Sequence, residues 1–180
     1  MPRSRRLSQR ISEGDGISII VRVDDAVAAQ RAEEQGAEAV AVSAAIAGIR
    51  DATTLPLLWV GGAVPADADA IRIRPEDEPA HHDHLEAVVD VRDEEELELA
   101  LERLDPEIFL LNGHDIDEGL DPLDAVLELL PDVPAGKLAI AQVDVSTREE
   151  VLALERAGVD AVLVTRADVG ALVGDQPLDV

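Results

Sequence analysis

The sequence predicts an α/β fold in which a parallel sheet is covered by helices. Eight short runs of Val, Ile, Leu and Ala have the length and the continuous apolar character of strands buried on both faces. Most links between these runs place apolar residues three and four apart with acidic residues opposite, which is typical of amphipathic helices. Eight strand–helix units favour closure into a compact (βα)8 TIM barrel, and an open doubly wound sheet is the alternative.

The predicted strands span residues 17–23, 39–43, 56–60, 70–74, 87–91, 108–111, 138–142 and 161–164. With 180 residues the chain is short for such a barrel, for which about 250 residues are typical. We expect reduced helices after strands 3 and 4. Residues 61–68 are interrupted by glycines and a proline, and residues 75–85 hold two prolines and three histidines, so neither link favours a full helix.

Three other links carry clear helix signals. Residues 94–103 place leucines on one stripe and acids on the other face. A proline follows Asp121 at the first helical position, where its missing N–H costs nothing. Ser146 and Glu149 form a capping-box sequence that predicts a third helix ending at residue 157, before a glycine.

The chain divides into a basic N-terminal segment, residues 1–16, and a single barrel domain, residues 17–180. Four arginines lie within the first ten residues. Because the remaining chain is strongly acidic, we expect the segment to fold back onto it or to stay loose, and we do not expect it to bind nucleic acid.

Composition excludes several classes of partner. The chain has 15 Lys and Arg against 39 Asp and Glu, a formal net charge of −24, which repels nucleic acid and anionic membranes. No apolar run approaches the roughly 18 residues of a membrane span, and no signal-peptide pattern opens the chain. Cysteine is absent and aromatic residues make up 1%, so thiolate sites and ring-stacking recognition are disfavoured. We expect a cytoplasmic monomer without a cofactor.

The acidic surface also predicts how stability depends on salt. Mutual repulsion among carboxylates opposes folding, and salt screens it over a Debye length of about 10 Å at 0.1 M. We expect the melting temperature to rise from about 10 mM to about 1 M sodium chloride; a flat profile would contradict this. We also expect stability to rise on mild acidification and to fall again once paired acids such as Asp90 are protonated.

Three segments in the second half carry a resemblance to a known family. They are Ala-Val-Val-Asp-Val-Arg-Asp-Glu-Glu-Glu-Leu at 87–97, Ile-Phe-Leu-Leu-Asn-Gly-His-Asp-Ile at 108–116, and Gly-Val-Asp-Ala-Val-Leu-Val-Thr-Arg at 158–166. They resemble strands five, six and eight of indole-3-glycerol-phosphate synthases, which are (βα)8 carbon–carbon lyases of tryptophan biosynthesis. The resemblance covers about residues 85–170, and residues 17–74 only by strand order. It implies a barrel, a sugar-phosphate ligand and no cofactor.

The resemblance implies two catalytic candidates. Asp90 takes the place of the family's strand-five glutamate, and Asn112 keeps the strand-six asparagine. The other functional positions differ. Arg22 replaces the glutamate of strand one, Gln142 replaces the glutamate of strand seven, and Thr165 replaces the glycine whose backbone meets the phosphate.

The family's lysines are replaced as well. The strand-one lysine falls on Asp24, and the strand-three lysine that serves as general acid falls on Val60. The chain's one lysine, Lys137, precedes strand seven. The resemblance therefore implies a divergent homologue without the family's ring-closure activity. An active or diverged carboxy-lyase of this type and a small-anion-binding barrel are the alternatives.

Charged side chains are predicted at the mouth of the barrel. Strand parity points Arg22, Arg72 and Asp90 inward, with Arg74 and Gln142 nearer the C-terminal rim. One interpretation is a structural network that pairs Arg22 or Arg72 with Asp90, because charges inside a barrel must be paired or solvated. The other is a small-anion site in which Arg72 and Arg74 bind a carboxylate or phosphate.

Four histidines follow predicted strands on the same side of the barrel. His81, His82 and His84 follow strand four, and His114 follows strand six. Imidazoles together with a carboxylate are able to bind zinc or nickel. Because adjacent loop residues seldom point at one ion, we predict a solvated loop and no metal site.

Overall fold

In a computed structural model, which describes residues 5–77, 83–114, 119–165 and 168–174, the chain forms a closed parallel barrel. The strands are β1 Ser18–Arg22, β2 Ala39–Val42, β3 Leu57–Trp59, β4 Ala70–Ile73, β5 Glu86–Val91, β6 Ile108–Asn112, β7 Leu138–Gln142 and β8 Ala161–Val164. Each pairs in parallel with the next, and β8 pairs with β1. The closed barrel is confirmed over the open sheet, and every strand end lies within one residue of its predicted position.

The helices are unequal in length. They are α1 Arg6–Glu13, α2 Ala26–Glu34, α3 Ile49–Ala52, α4 Glu94–Arg103, α5 Pro122–Leu129, α6 Arg148–Ala157 and α7 Val169–Val173, with a 3-10 turn at Leu130–Asp132. The fully described link between β3 and β4 holds no helix, as predicted. Part of the link after β4, residues 78–82, lies outside the described residues. Among the described helices, none has the length and apolar character needed to cross a membrane.

Side-chain caps fix where the long helices begin. Asp93 accepts from the Glu96 N–H at the start of α4, and Asp121 caps α5 at the predicted position. The prediction for α6 was wrong by one residue. Thr147 and Glu150, rather than Ser146 and its partner, form the capping box. The sequence contains two overlapping versions of that motif, and the first helical turn uses the second.

Apolar side chains form two layers, one on each face of the closed sheet. One fills the barrel and the other lies between the strands and the helices. The inner layer combines small residues, such as Ala41 and Ala70, with larger ones, such as Leu58 and Leu110. This mixture lets side chains from eight strands fill a narrow interior without large aromatic rings.

Helix α1 closes the N-terminal end of the barrel. Its Leu7 and Ile11, four residues apart, are buried in the inner layer. The carboxylate of Glu86, at the start of β5, accepts the backbone N–H of Leu7 at 2.7 Å and of Ser8 at 3.1 Å. Glu86 thus caps α1 from inside the barrel. Of the two alternatives for the basic segment, the described part follows the first, because it folds back onto the body.

Two arginines of this segment pair with acids at the same end. Arg6 Nη1 lies 3.0 Å from Asp69 Oδ1, and this aspartate also pairs with Arg50 of α3, whose Nη2 lies 2.5 Å from Asp69 Oδ2. Arg5 pairs with Glu107 at 2.5 Å. These contacts join residues 5–13 to the barrel, and the domain boundary after residue 16 stays a prediction.

Candidate functional site at the barrel mouth

The C-terminal ends of the strands place polar side chains where the apolar filling stops. Val88 and Leu110 belong to the inner layer. Asp90 and Asn112 lie two residues further along the same strands and therefore face the same way. Catalytic groups of (βα)8 barrels lie at this end.

Asp90 and Asn112 form a buried pair. Asn112 Nδ2 donates to Asp90 Oδ1 at 3.1 Å and lies 3.3 Å from Oδ2. Asp90 is only 1% exposed. Burial raises the pKa of Asp90, while the hydrogen bond from Asn112 and the charges of Arg74 and Arg72 oppose that rise. A buried carboxyl whose pKa is raised holds its proton more tightly than a free one, which is a property of carboxyl groups that act as acids in catalytic sites.

Asn112 also orders the loop that follows β6. Its Oδ1 accepts the backbone N–H of His114 at 2.9 Å. The His114 Nε2 lies 3.6 Å from Asp144 Oδ1, and this aspartate is 82% exposed. The imidazole is therefore held at the rim near the end of β7.

Arg22 and Arg72 extend over the ends of neighbouring strands. Arg22 Nη2 donates to Ser43 Oγ at 2.8 Å, and Arg72 Nη2 donates to the Val60 carbonyl at 3.0 Å. Arg72 Nε also lies 3.9 Å from Asp90 Oδ2. Of the two pairings predicted for a structural network, the described residues contain the one between Arg72 and Asp90.

Arg74 has different neighbours from Arg72. Its Nη1 lies 3.9 Å from Glu96 Oε1 on α4, and the same carboxylate accepts from Arg92 Nε at 2.9 Å. Arg72 instead binds the end of β3. The two predicted clamp residues therefore contact different elements, although the charges of both act on Asp90. Arg22 and Arg72 bind the ends of two neighbouring strands, β2 and β3.

Gln142 and Thr165 occupy the β7–β8 side of the mouth. Gln142 Oε1 is buried and, among the described residues, has no hydrogen-bond donor. Thr165 follows β8 and is partly buried. Asp144 adds an exposed carboxylate on this side, so the β7–β8 side offers acceptors and negative charge.

Lys137 lies at the other end of the barrel. It directly precedes β7, and its Nζ lies 2.6 Å from Asp105 Oδ1 in the link before β6. Because the strands are parallel, the start of β7 and the end of β5, which carries Asp90, lie at opposite ends.

Of the four histidines at this end of the barrel, the structure describes His84 and His114. His81 and His82 lie outside the described residues. In the part of the chain that the structure describes, no three metal-ligating side chains cluster.

The described carboxyl groups predict a stability maximum at mildly acidic pH. Burial raises the pKa of Glu86, Asp90 and Asp160, so each binds its proton more tightly in the folded chain than in the unfolded chain. The free energy of unfolding therefore rises as pH falls through these raised values toward the ordinary ones. Backbone N–H groups of the α6 cap lower the pKa of Glu150, and its contribution is lost as pH falls further.

This corrects the expectation for Asp90. Its protonation does not end the rise in stability but contributes to it, because burial outweighs its hydrogen bond and its arginines. The melting temperature should be measured against pH for the wild type, Glu86→Gln and Glu98→Gln, the last on the exposed face of α4. We expect Glu86→Gln to flatten the rise and Glu98→Gln to retain it. A wild-type profile that falls steadily from neutral pH would be inconsistent with these shifts.

Comparison with known proteins decides the family. A family model described as indole-3-glycerol phosphate synthase matches residues 75–171, which is more than half of the chain. The chain belongs to this family. The synthase of Geobacillus sp. is 30% identical over 108 residues, 60% of this chain and 40% of that protein. The synthase of Acidithiobacillus ferrooxidans is 29% identical over 141 residues, 68% of this chain and 53% of that protein.

The chain is shorter than these synthases and spans about half of their length or less. A solved structure of N-acetylmannosamine-6-phosphate 2-epimerase from Clostridium perfringens matches with a TM-score of 0.64 and 18% identity, over 82% of this chain and 86% of that one. At this identity the match supports the barrel fold alone. The indole-3-glycerol-phosphate synthase resemblance inferred from the three segments is thus confirmed.

Proposed function

We propose that this member of the indole-3-glycerol-phosphate synthase family binds a small anionic molecule at the barrel mouth and does not catalyse the family's ring closure. The observation that carries the proposal is the position of Lys137. The chain's one lysine lies at the N-terminal end of the barrel beside Asp105, away from Asp90 and Asn112.

Proton-transfer chemistry explains why this position matters. Ring closure with loss of carbon dioxide and water from an anilino sugar phosphate needs a proton donor with a pKa near neutrality, which a buried lysine supplies. Arg22 and Arg72 cannot take that role because a guanidinium stays protonated. They are suited instead to binding a carboxylate or phosphate through paired hydrogen bonds.

Thermal stabilisation by small anions tests the proposal. A ligand that binds only the folded chain raises its melting temperature with ligand concentration. We expect phosphate, sugar phosphates or anthranilate-like acids to raise it saturably, at constant ionic strength so that screening does not contribute. The corresponding neutral sugars serve as controls. No saturable rise with any of the anions would contradict the proposal.

A second candidate function is a diverged carboxy-lyase, and the Asp90–Asn112 pair favours it. The buried carboxyl has a raised pKa and lies 3.1 Å from its asparagine partner. Release of carbon dioxide from anionic substrates by the wild type, and its loss in Asp90→Asn, would support this function. Equal release by the wild type and Asp90→Asn would show that Asp90 does not carry this activity and would remove the support for this function.

A further inference from the structure

We infer that the anion binds over the adjoining ends of β2 and β3, between the guanidinium groups of Arg22 and Arg72, rather than at the ends of β7 and β8. This inference rests on the anion-binding function proposed above and adds the position of the site. The family's phosphate-binding glycine follows strand eight, so the inferred site lies on a different part of the mouth.

The hydrogen bonds of the two arginines converge on one place. Arg22 comes from β1 and binds Ser43, the residue after β2, while Arg72 comes from β4 and binds Val60, the residue after β3. Strands β2 and β3 pair with Val42 opposite Trp59. Ser43 and Val60 are thus the next opposite pair, on strands about 4.8 Å apart. The two side chains approach the same strand pair from its two sides.

Two glycines, Gly61 and Gly62, follow Val60 beside this pair. A Cβ on Gly61 would lie 2.1 Å from the Ser43 carbonyl oxygen, so the chain passes the end of β2 at a distance that only glycine permits. A Cβ on Gly62 would meet nothing within 4 Å. Trp59 Nε1 donates to the Gly62 carbonyl at 3.0 Å and positions this loop. Neither glycine covers the adjoining strand ends with a side chain.

The charges favour this side of the mouth. Arg22 is exposed and, among the described residues, makes no ion pair. Arg72 Nε lies 3.9 Å from Asp90 Oδ2, and the Arg72 side chain is about one-third exposed. Each guanidinium has five N–H donors. Among the described residues, each of the two donates one hydrogen bond, to Ser43 Oγ and to the Val60 carbonyl respectively. The β7–β8 side instead presents the Asp144 carboxylate, whose charge repels an anion, and the buried Oε1 of Gln142, which is an acceptor and not a donor.

This division predicts the chemistry of the ligand. Its anionic group contacts Arg22 and Arg72, and a hydroxyl or other donor faces Gln142 and Asp90. A short phosphate ester or carboxylic acid that carries hydroxyl groups meets both requirements.

Calorimetric titration of the full chain with inorganic phosphate tests the location. Arg22→Gln removes one guanidinium, and Arg31→Gln makes the same charge change on exposed α2. We expect Arg22→Gln to weaken binding about tenfold or more and Arg31→Gln to change it by about twofold or less. Arg72→Lys keeps the charge beside Asp90, and we expect it to weaken binding several-fold because it loses the planar fork.

Asp144→Asn distinguishes the two sides of the mouth. The inference predicts binding within about twofold of wild type. Tighter binding in Asp144→Asn together with unchanged binding in Arg22→Gln would place the anion at β7–β8 and overturn the inference, while anion binding itself would stand. Equal losses in Arg22→Gln and Arg31→Gln would indicate attraction by overall charge and also overturn it. Absence of phosphate binding to the wild type would overturn the inference, whereas the proposed function would be contradicted only if none of the anions raised the melting temperature.

Discussion

Leu7→Ala is expected to lower the free energy of unfolding by about 2–5 kcal/mol. Leu7 is 0% exposed and lies in the layer that fills the barrel. Truncation removes its apolar contacts and leaves a cavity where α1 closes the barrel. Alanine preserves the helix itself, so the loss reports packing and not helix propensity.

Chemical denaturation with Gln9→Ala as the matched control measures this effect. Gln9 lies on the exposed face of α1 and donates to Glu13 at 2.8 Å, so its truncation should change stability by about 0.5 kcal/mol or less. A Leu7→Ala chain as stable as Gln9→Ala would show that α1 does not close the barrel.

Gly61→Ala is expected to destabilise the chain by about 3 kcal/mol, near the upper end of the range for overpacking. The new methyl carbon would lie 2.1 Å from the Ser43 carbonyl oxygen, which is backbone and cannot rotate away. Gly62→Ala is the matched control, because the same methyl group there meets nothing within 4 Å. The two free energies of unfolding should differ by about 2 kcal/mol or more, and equal values would refute the close approach of β2 and the loop.

Much of the fold was predictable because its signals are local. A strand buried on both faces appears in the sequence as one apolar run, and the ends of β7 and β8 were predicted to the residue. The role of α1 was not predictable in this way. Leu7 and Ile11 are the only two apolar residues of α1, and the carboxylate that caps this helix is Glu86, far away in sequence.

The candidate site was predictable in its orientation and less so in its contacts. Period-two alternation pointed Arg22, Arg72 and Asp90 into the barrel. The hydrogen bond between Asn112 and Asp90 depends on how far two side chains reach across β5 and β6, which no pattern encodes. The contact between Arg22 and Ser43 had a usable signal, since both are inward positions at the ends of neighbouring strands.

We propose that this barrel does not catalyse the family's ring closure, because its one lysine, Lys137, lies at the other end from the mouth. Indole fluorescence, followed after mixing purified protein with the anilino sugar phosphate precursor of indole-3-glycerol phosphate, tests it most directly. We predict no product beyond the protein-free reaction. Turnover at an ordinary enzymatic rate of about 1 s⁻¹ or more would contradict the claim.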